Sequence, residues 1–148
     1  MNKEKALAAV ASSPFLWVEG YEIKTEQGKR LDFYDHLFMI DIFNDLSPKQ
    51  VCYKAAQIGF STTAILKTFW VAKYMGMDII YTLPTVSDSR DFVGSKINRL
   101  VAQNPILQQM VKDKDTMDQK QVGNNIIHYR GTWTEKGAMM IPSDLNVY

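Results

Sequence analysis

The sequence predicts an α/β fold, a parallel sheet flanked by helices, on three observations. Two apolar strand patterns, residues 49–53 and 77–83, bracket a helix pattern from Thr62 to Tyr74. A short glycine-containing loop, Lys54 to Thr63, joins the first strand to that helix. Strand, loop, helix and strand within about 35 residues is the βαβ unit of a parallel sheet.

At 148 residues, with 46% hydrophobic and 11% aromatic side chains, the chain has the size of one domain and can bury a core. A formal net charge of +1 excludes a global basic field. The charge is uneven: acids exceed bases in the first fifty residues and bases exceed acids after them, which weakly favours a polyanionic partner. Cys52 is the single cysteine, so neither a disulfide framework nor zinc spacing is present, and a reducing cytosol is expected. Its place in a predicted strand gives it a packing role. No apolar run reaches the roughly 18 residues of a spanning helix, so no membrane association is expected.

Along the chain, good helix formers over residues 2–11 predict a short helix ending at Ser12-Ser13-Pro14. Residues 15–24 alternate poorly and contain Gly20, and read as irregular or as an edge strand, with a turn at Gln27-Gly28. Residues 1–30 are taken as an N-terminal arm and 31–148 as the domain proper. Asp32 can cap a helix over 32–43, whose apolar positions Phe33, Leu37, Ile40 and Phe43 recur at helical spacing. The helix after the loop is apolar on a broad face and is predicted to be buried on most sides, with Gly76 as its C-cap. The strand over 77–83 stops at Pro84.

Thr85 and Asp88 form a capping-box pattern for the next helix, which runs to Asn104-Pro105. The polar stretch 107–125 reads as a surface excursion. A strand follows over 125–131, then one or two helical turns over 135–141, then a strand pattern over 145–148. A sheet that ends inside a strand pattern is expected to continue in a longer chain.

The loop is the candidate site. A phosphate-cradling loop has the form G-x-x-x-x-G-K-[ST]: its N–H groups wrap the phosphates, its lysine reaches the β/γ oxygens and its hydroxyl holds Mg²⁺. Gly59 and Ser61 occupy the second-glycine and hydroxyl positions, whereas Phe60 replaces the lysine and Lys54 stands at the first-glycine position. A Gly-Phe-Ser-Thr turn is also ordinary helix-start chemistry. Its setting between a strand and a helix favours the anion reading.

Lys54-Ala-Ala-Gln-Ile-Gly-Phe-Ser-Thr62 resembles the deviant Walker A loop of the large terminase subunits of tailed bacteriophages, in particular the lambda-like group, where the lysine also comes first and an aromatic residue follows the glycine. Tyr81-Thr82-Leu83-Pro84-Thr85 is similar to the apolar-Pro-Thr segment after the Walker A helix in terminases and related helicases. Residues 143–148 look like the approach to Walker B. The resemblance covers roughly residues 30–148.

It implies an ASCE-type P-loop NTPase fold, cut before the Walker B acids, which are expected after Tyr148, so that no catalytic residue lies in these 148. The implied activity is an ATP-driven motor that packages double-stranded viral DNA, working with a portal protein and a small terminase subunit as a homo-oligomer in the host cytoplasm. A nuclease domain is implied further along a full-length chain. Ala56 stands where some terminases carry an arginine, so no loop-borne arginine finger is implied.

The cofactors implied are ATP and Mg²⁺, and the candidate binding residues are Lys54, Gln57, Ile58, Gly59, Phe60, Ser61, Thr62 and Tyr34. Ser61 is the Mg²⁺ ligand and Thr62 either bonds a phosphate or stabilises the helix start. A strand-end lysine is usually solvated, but with Phe60 in the ordinary lysine position Lys54 is favoured as the phosphate ligand. Gln57 orients the loop or a water, or makes a turn-stabilising hydrogen bond. Phe60 has a packing role by default. Tyr34 stands where such ATPases hold the adenine ring, with core packing as its other reading; Phe33 reads as core.

His36 and His128 have no spaced partners and read as structural. Arg90, Lys96 and Arg99 share one helix and could face DNA phosphates, although a solvated face is the commoner outcome. Asp144 precedes its strand, the wrong end for a Mg²⁺-holding acid. Two other functions remain: a helicase-like ATPase, which shares the apolar-Pro-Thr segment, and a nucleic-acid-binding or assembly module that uses no nucleotide.

Overall fold

The computed structural model describes residues 3–111, 113–132 and 141–148. They form a mixed α/β structure with a four-stranded sheet, mostly parallel, flanked by helices. The strands are β1 (Ile79–Leu83), β2 (Gln119–Val122), β3 (Asn125–Gly131) and β4 (Leu145–Val147), in the order β2-β3-β1-β4. β1 runs parallel to both neighbours, with Ile79 opposite Ile127 and Leu145. β2 and β3 are an antiparallel hairpin whose two-residue turn places Gly123 at φ +63°, as a glycine-first hairpin turn requires.

Two aspartates set where the strands begin. Asp78 accepts from the amides of Ile126, Asp144 and Leu145, and the Asp144 carboxylate accepts from the amide of Asp78. Asp144 thus works at the start of β4 as a strand clip, in keeping with its exclusion as a metal-holding acid.

The helices are α1 (Lys3–Ser12), α2 (Pro14–Gly20), α3 (Phe38–Asn44), α4 (Phe60–Trp70), α5 (Val86–Phe92), α6 (Asn98–Gln103) and α7 (Pro105–Met110). α4 widens into a π-helical segment, Val71–Met75, and ends at Gly76 with φ +68°, the left-handed cap that the sequence predicts. No residue from Ser61 to Ala72 is exposed: Ile65, Leu66, Phe69 and Trp70 are buried, and so are Thr62, Thr63 and Thr68. A second π-helical segment, Val93–Ile97, joins α5 to α6.

Five expectations are corrected. Residues 15–24 are not an edge strand: Ser13 accepts from the amide of Leu16 and Pro14 takes the first helical turn, so Ser-Pro starts α2. Trp17 and Val18 on α2 and Ile23 after it lie in the common core. The helix over 32–43 is split into a 3₁₀ turn at Tyr34–His36 and α3.

The strand over 49–53 is absent, so the unit that suggested the fold lacks its first strand. Val51 and Tyr53 are fully exposed, and with no strand beside them their β-branched and aromatic preference gains nothing. Cys52 is accordingly exposed rather than packed. The excursion over 107–125 contains the rest of α7 and all of β2, with Val122 and Lys120 buried; Lys120 Nζ donates to Asn98 Oδ1 at 2.7 Å and to Asp115 Oδ1. The turns expected over 135–141 fall, apart from Ile141, outside the described residues.

Candidate functional site

The loop from Lys54 to Gly59 is exposed except at Ile58. It reaches α4 through two left-handed residues, Gln57 at φ +61° and Gly59 at φ +77°. Gln57 thus carries a left-handed backbone conformation that costs a non-glycine residue about 1–2 kcal/mol. Gly59 is the N-cap of α4 and has no side chain to offer. The first backbone bond of the helix runs from the amide of Thr63 to the carbonyl of Gly59. The amides of Phe60, Ser61 and Thr62 have no acceptor among the described residues, and they point, with the helix dipole, toward the loop.

The Lys54 ammonium lies over the ring of Phe60, the first residue of α4. Its Nζ lies 5.9 Å from the centroid of the Phe60 ring and 3.4 Å from the carbonyl oxygen of Ala55. The residue that the sequence places six positions before Phe60 is thus brought to the helix start. Ser61, the second helical residue, is half-buried and its hydroxyl has no partner among the described residues. Ile58 and Phe60 pack against the core, which gives both a structural role.

Thr62 departs from expectation. It is buried, and its hydroxyl donates to Glu26 Oε2 at 3.0 Å. Glu26 Oε1 accepts from Lys96 Nζ at 2.6 Å. Burial pushes the Glu26 carboxyl up, but the hydrogen bonds from Lys96, its own amide and Thr62 outweigh this and hold it below the ordinary glutamate range. An ionised carboxylate only accepts, so the Thr62 proton is committed and its hydroxyl cannot also donate to a phosphate.

A cleft of about 650 Å³ opens beside the loop, between α3, the segment 45–55 and the start of α4. Phe38, Ile42, Val51, Tyr53, Ile58 and Phe60 supply its apolar lining, and Lys49 and Lys54 its cations. This is within the size range of small-molecule sites. Tyr34 is 85% exposed and is not among the lining residues, so the structure does not bring it to the loop. Phe33 is buried against Phe15 and Phe43, as read from the sequence.

Lys67, which sequence reasoning passed over, holds one wall of the cleft. Its Nζ donates to the carbonyl of Ile42 at 3.0 Å, to that of Asp45, and to Gln50 Oε1 at 3.2 Å. Burial lowers its pKa, against the opposing pull of Asp45. The available signal was a single charged residue inside an otherwise uncharged helix. Of Arg90, Lys96 and Arg99, Lys96 is paired with Glu26, Arg90 lies 3.8 Å from Asp118, and Arg99 is exposed.

Among the described residues no three His, Cys, Asp or Glu side chains cluster as a metal site, and no helix is long and apolar enough to cross a membrane. The unpartnered Ser61 hydroxyl is the group that would hold Mg²⁺, were that ion bound here to offset phosphate charge. Comparison with protein-family models, with curated proteins and with solved structures finds no match.

Proposed function

We propose that the chain is the ATP-binding part of a P-loop motor ATPase of the terminase large-subunit type, which drives double-stranded DNA into viral procapsids. The observation that carries the reading is the position of Lys54, 5.9 Å from the ring that opens α4. A cation beside the first residue of α4 and three unpaired amides at the start of that helix are the kinds of group that bind a β/γ-phosphate. The cleft beside the loop has room for the nucleoside.

In this reading the amides of Phe60, Ser61 and Thr62 bind phosphate oxygens, Lys54 balances their charge and Ser61 holds Mg²⁺. Bound Mg²⁺ would offset the phosphate charge. The acids that position water, the portal and small-subunit partners and the oligomer belong to the same proposal and come from the resemblance of residues 54–62 and 81–85. The unpaired segment at Val51–Tyr53 favours the second reading, a binding or assembly module without nucleotide use.

The two readings are separated by the unfolding midpoint of the 148-residue chain with and without Mg²⁺-ATP. At a hundred times the dissociation constant a native-state ligand adds about 2.7 kcal/mol. The wild-type chain should show such a shift. Lys54→Ala should lose most of it while keeping the ligand-free midpoint, since Lys54 is exposed. A wild-type chain whose midpoint ignores Mg²⁺-ATP would leave the binding module.

A further inference from the structure

Glu26 lies 36 residues before Thr62, yet the fold delivers its carboxylate to the first turn of α4. It sits on a tight turn closed by the amide of Gly28 donating to the carbonyl of Thr25 at 2.9 Å and by the Lys24–Arg30 bridge. Gly28 has φ +80°, and a Cβ there would meet Gln103 Oε1 at 3.0 Å, so the turn rests on the end of α6. The buried Asn104 fastens it: Oδ1 accepts from the amide of Lys24 at 2.7 Å, and Nδ2 donates to the carbonyls of Lys24 and Leu100, each at 2.8 Å.

A lone carboxylate so close to an anion-binding turn would repel phosphate. Here it is balanced by Lys96; the Glu26 side chain is 14% exposed and that of Lys96 43%, so salt reaches the pair from the lysine side only. The carboxylate can therefore hold Thr62 by a charge-assisted hydrogen bond without adding net negative charge beside the loop.

We propose that Glu26 is a positioning residue for the phosphate-binding turn: it fixes Thr62 so that the amides of residues 60–62 stay directed at the loop, while Lys96 cancels its charge. This rests on the loop reading above. It assigns Thr62 a backbone contact only, and gives Lys96 the task of a counter-ion rather than a DNA contact.

The experiment is calorimetric titration of the 148-residue chain with Mg²⁺-ATP, at a temperature where each variant is folded. Glu26→Gln should weaken binding by about threefold, through loss of the charge-assisted bond. Lys96→Met should weaken it more, by about tenfold, because it leaves the carboxylate unbalanced beside the phosphates. The double variant should recover to about the level of Glu26→Gln, and Lys96→Arg should keep wild-type affinity.

A merely structural pair would give a double variant no better than Lys96→Met. That result, or wild-type affinity in all the variants, would overturn the positioning role and leave the loop reading standing. Absence of binding by the wild-type chain would remove the loop reading, and the positioning role with it.

Discussion

Two helices of this protein, α4 and α5, begin in opposite ways. At α5 the Thr85 hydroxyl accepts from the amide of Asp88 at 3.0 Å, and the Asp88 carboxylate accepts from the amide of Thr85 at 3.1 Å. At α4 the cap is Gly59, and no side chain answers the amides of residues 60–62. The first end is satisfied by its own residues and its backbone is seated on the last residue of β3. The second is left open, with the Lys54 ammonium over the ring of its first residue. A helix start that the chain does not close for itself is the one available to a ligand.

The largest expected effect tests the closed end. Gly131, the last residue of β3, lies under the start of α5, and a Cβ there would stand 2.3 Å from the amide nitrogen of Val86 and 2.4 Å from the carbonyl carbon of Thr85. Both neighbours are backbone, so relief requires moving the helix. Gly131→Ala should cost about 3 kcal/mol or more in urea unfolding. A loss below about 1 kcal/mol would show that α5 is not seated on β3 in this way.

The open end should respond differently to the same change. A Cβ at Gly59 meets nothing within 4 Å, so Gly59→Ala introduces no collision and exposes only the cost of φ +77° for an alanine, about 1–2 kcal/mol. Gly59→Asn should lose less, since asparagine tolerates that conformation better. Equal losses for the two substitutions would argue that the backbone is not held left-handed there.

This contrast also shows what was legible in the sequence. The capping box at Thr85, the left-handed cap at Gly76 and the strands at 79–83 and 125–131 depend on chemistry within a few residues, and local pattern found them. Ser13-Pro14 was equally local, but the same residues that stop one helix start the next, and α2 was missed. Residues 49–53 have strand composition, and a strand needs a neighbour that composition does not name. At the candidate site, the places of Lys54, Gly59 and Ser61 before and at the start of α4 could be read from spacing. Glu26 could not, because only the packing of the 24–30 turn on Asn104 brings it to Thr62, and no sequence spacing encodes that contact.

The smallest expected effect asks whether a closed helix end can be converted into an open one. Thr85→Ala removes the hydroxyl that answers the amide of Asp88 and should cost about 1 kcal/mol. It should not create an anion site. The Asp88 carboxylate accepts from the amide of Thr85 and would remain over the helix start, where its charge repels phosphate. The variant's unfolding midpoint should therefore fall while its shift with Mg²⁺-ATP matches that of the wild-type chain. An added anion-dependent stabilisation in Thr85→Ala would mean that any uncapped helix start in this protein binds phosphate, and the open end of α4 would lose its claim to be special.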